Sequence, residues 1–254
     1  GVLSLVLTLA IMRDSPHPGR ERPRSGLREL RRQVAAVWGR GGTRLGFFSH
    51  MGTQFSITTF ALMWGVPYLV SGQGLSPGAA GGVLTISVVA AIVTGPIIGM
   101  LTARFPVRRS WMVLGSISAS MIMWTIVLAL PHPAPLWLLI LLVIVISIGG
   151  PGSVIGFDIA RTTNPSTSMG TAQGMVNIGG FTATLITIQA MGIVLDAAGG
   201  LSFDGFRAAW LVQYPLWAIA IIGVVVSRGT ARREAGVRVK PLREVVDRYR
   251  RHEE

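Results

Sequence analysis

The sequence predicts an all-α membrane protein, a bundle of six transmembrane helices preceded by the end of another helix. Three observations lead to this prediction. Six apolar stretches each approach or exceed the roughly 20 residues that span a bilayer. Only 13% of the residues are charged, about half the share typical of a soluble domain. Of the 23 Lys and Arg residues, all but Arg207 fall on one side of the six stretches, which is the charge asymmetry of multi-pass membrane proteins.

Residues 1–12 are apolar and are followed by Arg13. They are too few to span a bilayer. The basic start and the small-residue cleavage site of a signal peptide are missing from them. We interpret residues 1–12 as the end of a truncated transmembrane helix, and we expect the chain to be part of a longer protein.

Residues 13–45 form a basic segment that is rich in Pro and Gly. Its apolar residues recur at helical spacing, and arginines lie between them. These apolar residues are Leu27, Leu30, Val34 and Val37. The pattern predicts a short amphipathic helix that lies on a membrane surface, within a cytoplasmic linker.

The transmembrane bundle is predicted over residues 46–227, and residues 228–254 form a basic tail. The apolar stretches are residues 46–70, 79–102, 110–130, 135–157, 168–195 and 206–227. Gly and Pro in the links between them are turn residues. Because several of these links are short, we expect successive helices to be antiparallel.

The distribution of basic residues predicts the orientation of the chain. Lys and Arg accumulate on the cytoplasmic side, so both basic ends are predicted to be cytoplasmic, in the cell membrane (inner or plasma membrane). An even number of crossings, such as six, fits this arrangement. We interpret the net charge of +12 as a topology signal and an attraction to anionic lipid head groups, and we expect no nucleic-acid partner.

The middle of the six stretches contains no Asp, Glu, Lys or Arg, and the chain has no Cys. Paired intramembrane carboxylates, a His-Glu metal pattern and a Gly-x-Ser-x-Gly elbow are also missing from the sequence. The sequence therefore predicts no enzyme, no cofactor and no metal site.

Polar uncharged residues are dense in the first and fifth stretches. Gln54 and Thr58 share a helix face, as do Asn177 and Thr184. An amide in hydrocarbon needs a partner, so these faces should point into protein or into a wet cavity. Two interpretations stay open, hydrogen bonding within the bundle and contact with a substrate. His50 is interpreted as an interface residue near the end of its helix.

Two further features each allow two interpretations. Asp158 and Arg161 can pair across one helical turn, either as a solvated interface pair or as a gate contact at the cytoplasmic end. The sequences Gly95-Pro96 and Gly150-Pro151 serve either close helix packing or helix bending.

The loop between the second and third stretches reads Gly99-Met-Leu-Thr-Ala-Arg104-Phe105-Pro-Val-Arg108-Arg109. It resembles a motif of the major facilitator superfamily of transporters. The family loop typically reads Gly-x-Leu-x-Asp-Arg-Phe-Gly-Arg-Arg. The matching residues here are Gly99, Leu101, Arg104, Phe105 and Arg108. Ala103 replaces the acidic residue, and Pro106 replaces the second Gly. Two further segments, residues 64–69 with 74–81 and residues 174–180, are similar to members that carry organic or inorganic anions and small metabolites.

The resemblance covers essentially the whole chain and implies the second half of a twelve-helix transporter fold, joined by a central linker to a missing N-terminal half. It also implies secondary transport of a small solute, with or without a coupling ion, by alternating access. The implied cytoplasmic gate residues are Gly99, Arg104, Arg108 and Arg109. The alternative is a transporter-like sensor or an assembly subunit that transports nothing.

Overall fold

The computed structural model describes Val6, Thr8, Ala10, Ile11, residues 26–234 and Gly236. All regular secondary structure between residues 26 and 234 is helical. The predicted helix end at residues 1–12 lies mostly outside the described residues. Residues 13–25 of the predicted linker and nearly all of the tail beyond residue 234 also lie outside them.

Six helical segments are long and apolar enough to cross a membrane. In chain order, the first to sixth spans are Gly41–Gly72, Pro77–Arg104, Pro106–Leu128, Leu136–Thr163, Ser166–Ala197 and Phe203–Glu234. Each overlaps one predicted stretch. The first begins five residues earlier than predicted and the sixth ends seven later, because arginines at helix ends extend their charged groups to water while their stems cover apolar surface.

A surface helix precedes the first span and runs over Leu27–Gly39. Its buried residue is Val37, which packs in a small cluster with Ala160, Ala172 and Val176 of the fourth and fifth spans. Leu27 at the other end is 86% exposed. The helix is therefore held at its C-terminal end and presents the rest of its apolar face outward.

The first span departs from regular α-helical geometry twice. After an α-helix over Gly41–Thr59 it widens to π-helical turns over Phe60–Trp64 and Tyr68–Gly72. The Gly65 N–H donates to the Phe60 carbonyl five residues back, and a Cβ at Gly65 would collide with that oxygen. π-helical turns occur often at functional sites, and these two turns make the first span a candidate for a functional role.

The fourth and sixth spans are each interrupted within the turn that precedes a proline. The fourth consists of helices Leu136–Ser147 and Gly149–Thr163, and Pro151 has no N–H to donate to the Ser147 carbonyl. The sixth consists of Phe203–Trp210 and Gln213–Glu234, with Pro215 in the equivalent position. The second span continues through Pro96 without interruption, so proline alone does not decide where a span breaks.

The first and fourth spans lie at the centre of the bundle. The first packs against the fourth, the fifth and the sixth, and in the same way the fourth packs against the first, the second and the third. The third and sixth spans also contact each other. These contacts map onto one another when the first three spans are exchanged with the last three, whereas the contact between the first and third spans has no counterpart of similar extent between the fourth and sixth. Successive spans run in alternating directions, so a span and its counterpart three spans later are antiparallel. The two groups of three spans therefore have opposite orientations in the membrane.

One end of the bundle, which we call the basic end, carries Arg44, Arg104, Arg109, Arg161 and Arg228. Hydrogen bonds connect the termini of three spans there. Thr43 and Asn164 exchange hydrogen bonds at 2.9 and 3.2 Å. The Gly41 N–H donates to the Glu234 carboxylate at 2.8 Å. The N-terminus of the first span is thus tied to the C-termini of the fourth and sixth.

At the opposite end an aromatic cluster fills the core. Trp124 and Trp210 are stacked with ring centroids 4.2 Å apart, and Tyr68 contacts both rings at 5.6 Å. Phe60 and Phe206 pack against this group. The cluster holds the first, third and sixth spans together where the first span is π-helical.

Candidate functional site

The candidate site lies where the first span crosses the fourth and the fifth. Glycines on facing helices set the distance between them. A Cβ at Gly46 would lie 2.6 Å from the Gly156 carbonyl oxygen, and a Cβ at Gly156 would lie 2.6 Å from the Gly46 carbonyl oxygen. On the fifth span, a Cβ at Gly179 would lie 2.7 Å from the Phe47 carbonyl oxygen. Small residues of this kind let helix backbones approach closely.

Gln54 lies at this crossing, on the first span. Its Oε1 accepts a hydrogen bond of 2.9 Å from the Ser153 hydroxyl of the fourth span. The Ser153 Oγ also lies 2.7 Å from the Gly150 carbonyl oxygen, beside the break in the fourth span. The Gln54 amide is half-buried, so it joins the two central helices while its NH₂ group is left without a described partner in the bundle.

His50 lies one turn before Gln54 and is almost fully buried, at 2% exposure. Its Nδ1 lies 3.3 Å from the Ser153 carbonyl oxygen. A carbonyl oxygen only accepts, so this contact assigns the proton to Nδ1. Nε2 is buried with no partner among the described residues, and a Cβ at Gly180 would lie 2.8 Å from it. The imidazole is therefore held between two helices with one ring nitrogen unused.

The structure does not bring the other three predicted cavity residues into direct contact with Gln54 side-chain atoms. The Thr58 hydroxyl donates to the Gln54 backbone carbonyl at 3.0 Å. Thr184 is buried, and its hydroxyl donates to the Gly180 carbonyl of its own helix at 2.9 Å. Asn177 is exposed at the edge of the same face. Thr184 thus packs inside the bundle, whereas Asn177 is accessible.

The predicted gate residues lie at the basic end, and they differ in exposure. Arg104 and Arg108 are exposed, and the Arg104 guanidinium lies 5.6 Å from the ring centroid of Phe105. Arg109 is half-buried, and its Nε donates to the Thr102 carbonyl at 3.4 Å. The four predicted gate-loop residues therefore do not form one cluster.

Gly99 and Asp158 line one groove of about 290 Å³ between the second and fourth spans. Pro151 lines the same groove. Arg161 donates to Asp158 at 3.1 Å across one helical turn. The structure thus brings a predicted gate glycine beside the predicted Asp158–Arg161 pair, next to the proline that follows the break in the fourth span.

A second buried polar cluster lies deeper in the bundle. The Ser56 hydroxyl donates to Gln213 Oε1 at 2.6 Å and accepts from the Trp124 indole N–H at 3.1 Å. Gln213 Nε2 donates to the Trp210 carbonyl at 3.2 Å. Gln213 is completely buried, and it satisfies a carbonyl freed by the break in the sixth span. This cluster is closed on itself and stabilises the bundle.

Sequence reasoning missed Ser153 and Gln213 and placed His50 near the end of its helix. Ser153 had one available signal, a hydroxyl between glycines in an apolar helix, where a polar group needs a partner. Gln213 had the signal of an amide two residues before Pro215. Neither signal identifies the partner, because spacing along one helix does not reveal which helix lies opposite.

Comparisons with known proteins find no matching family model, no similar curated protein and no similar solved structure.

Proposed function

We propose that this protein is a secondary active transporter of a small solute that works by alternating access. The chain would form the second half of a twelve-helix transporter of the major facilitator superfamily and would need a partner half to complete the pathway. The solute class that we propose is a small organic or inorganic anion or metabolite, moved alone or with a coupling ion by symport or antiport.

The observation that carries this proposal is the repeated contact pattern of the two groups of three spans. Inverted repeats with central, interrupted helices are typical of secondary transporters, and their substrate sites lie at the repeat interface. Here the first and fourth spans are the central helices, both are irregular, and they meet at Gln54 and Ser153. A sensor or an assembly subunit requires none of these features.

The proposed solute site is built on the first, fourth and fifth spans. Gln54 offers an amide with free hydrogen-bonding capacity, and Asn177 offers a second one that is exposed. His50, one turn before Gln54, would support this site from within the bundle and would not touch the solute, because its imidazole is 2% exposed and its Nε2 is buried. The uncharged donors and acceptors would orient the solute, and charged groups for an anion would come from the partner half.

The proposed orientation places the basic end in the cytoplasm of a cell membrane. This follows the positive-inside rule. Gly99, Arg104, Arg108 and Arg109 would then lie at the cytoplasmic gate, beside the Asp158–Arg161 pair.

Uptake by the full-length protein in proteoliposomes tests the transport proposal. The probes are radiolabelled inorganic phosphate and a panel of small carboxylates, and the variants are Gln54→Ala and Asn177→Ala. We expect a loss of uptake of at least about tenfold for each variant, because each removes a hydrogen bond worth about 0.5–1.5 kcal/mol directly and leaves the solute partner unpaired. Gln189→Ala is the control, since Gln189 is an exposed amide on the fifth span, which also carries Asn177.

Unchanged uptake in both variants would show that the site assignment is wrong. If the folded full-length protein binds a probe but moves none of them, the sensor alternative gains support over transport.

A further inference from the structure

A cleft of about 310 Å³ opens at the basic end between the first, third, fourth and sixth spans. Apolar side chains form much of its wall, among them Leu45, Val107 and Ile159. Three arginines also line it, namely Arg109, Arg228 and Arg232. All three are half-buried, whereas Arg104, Arg108 and Arg233 nearby are exposed. The cleft therefore combines an apolar wall with three partly desolvated positive charges.

Each of these arginines is positioned by an uncharged neighbour. The Arg228 guanidinium lies 4.4 Å from the ring centroid of Trp111. Arg232 Nη2 donates to the Val107 carbonyl at 3.4 Å, and Arg109 Nε donates to the Thr102 carbonyl. A guanidinium has five N–H donors, so most of the donors of the three side chains remain free for a ligand.

No carboxylate among residues 26–234 neutralises the three charges. The ion pairs of this part of the chain involve Arg32, Arg161 and Arg207 instead. Two acidic side chains at the basic end have other partners: Asp158 accepts from Arg161, and Glu234 accepts from the Gly41 N–H. Like charges held together in a partly dry cleft repel each other, so a bound anion would stabilise this end of the bundle.

We propose that the cleft binds a phosphoryl group, with Arg109, Arg228 and Arg232 as its donors. Guanidinium groups match the oxygens of a phosphate in paired hydrogen bonds. The Ser110 hydroxyl, which also lines the cleft, supplies a further donor. The cleft lies at the ends of four spans, the depth of lipid head groups, and its apolar wall fits the carbon atoms attached to a phosphodiester. The phosphoryl group comes either from an anionic lipid or from free phosphate, and binding there does not depend on the proposed transport.

The test uses the delipidated full-length protein in a neutral detergent, with thermal unfolding as the measurement. One arm titrates short-chain phosphatidylglycerol, with phosphatidylcholine of equal chain length for comparison, and the other arm titrates inorganic phosphate. The test variant carries Arg109→Gln, Arg228→Gln and Arg232→Gln. The control carries Arg104→Gln, Arg108→Gln and Arg233→Gln, which removes the same charge from exposed arginines at the same end.

We expect the wild type and the control to be stabilised by phosphatidylglycerol, by inorganic phosphate or by both, and the test variant to need at least tenfold more of the same probe. A response to phosphatidylglycerol alone identifies the lipid as the source, and a response to inorganic phosphate identifies a site that binds the free ion. Equal responses of the test and control variants, or equal effects of phosphatidylcholine and phosphatidylglycerol, would overturn the proposal. If the triple variant does not fold, Arg232→Gln compared with Arg233→Gln gives the same test, with an expected weakening of about threefold.

Discussion

Glycine at a helix crossing determines how close two spans can lie. Gly46 and Gly156 face each other so closely that each occupies the space where the other would place a side chain. This contact brings His50 and Gln54 within reach of Ser153. The polar contacts of the candidate site therefore depend on two residues that have no side chain of their own.

Replacing Gly156 with Ala tests this dependence. The added methyl would lie 2.6 Å from the Gly46 carbonyl oxygen, and overpacking of this kind costs about 1–3 kcal/mol. Alanine favours a helix by up to about 1 kcal/mol relative to glycine, which offsets part of the cost. We expect a lower midpoint of thermal unfolding in detergent.

Gly174→Ala is the matched control, because no described atom lies within 4 Å of the Cβ that it would gain. It should leave the midpoint unchanged or raise it. A Gly156→Ala variant that is as stable as this control would mean that the helices do not approach each other as described.

At the scale of the helix, the sequence predicted where the spans lie, and it offered bending at Gly95-Pro96 and Gly150-Pro151 as one of two interpretations. The structure interrupts a span only beside the second of these pairs. The π-helical turns of the first span and the break in the sixth were not predicted. Apolar length identifies a span because the bilayer requires about 20 residues. The irregularities depend on tertiary contacts: Pro96 leaves its helix intact, whereas the spans that contain Pro151 and Pro215 are interrupted. In the sixth span, the side chain of Gln213 donates to the Trp210 carbonyl that the break leaves free, and Ser56 of the first span holds that side chain. The sequence of one helix does not reveal such a partner on another helix.

The same limit applies to the candidate site. The sequence placed Gln54 and Asn177 on polar faces, because a helical period orders residues along one helix. The sequence could not predict that Gln54 bonds to Ser153 or that Thr184 is buried, because both predictions require knowing which helix lies opposite. For the same reason, the sequence could not predict the groove that Gly99 and Asp158 line together.

Pro151→Ala tests the cause of the break in the fourth span. The substitution supplies an N–H that can donate to the Ser147 carbonyl and removes the clash of the ring with that carbonyl. We expect backbone hydrogen exchange at residues 149–153 to slow by about tenfold. Pro96→Ala, in a span that is already continuous, should change exchange much less. Equal effects of the two substitutions would rule out Pro151 as the cause of the break.

At the scale of the whole molecule, single introduced cysteines can report orientation, because residues 1–254 contain no Cys. The same protein without an introduced cysteine measures the background. His132→Cys lies in the link between the third and fourth spans, and Thr167→Cys lies in the first turn of the fifth span, next to its link with the fourth. Both positions are exposed, at opposite ends of the bundle. We expect a membrane-impermeant maleimide to label His132→Cys in intact cells and Thr167→Cys only after permeabilisation.

The reverse pattern would place the basic end outside the cell and would contradict the positive-inside orientation. Labelling of both positions in intact cells would mean that the fourth span does not cross the membrane, and it would contradict the six-span fold.

The central position of the first span has a consequence for biosynthesis. This helix leaves the ribosome before the fourth, fifth and sixth spans, which are the helices that it packs against most extensively. At 5–20 residues per second, the hydroxyl of Ser153 is made roughly 5–20 s after the amide of Gln54. During that interval His50 and Gln54 must be kept out of lipid by water, by the translocation machinery or by a segment made earlier. The sixth span, which is made after the other five, completes the packing of the first.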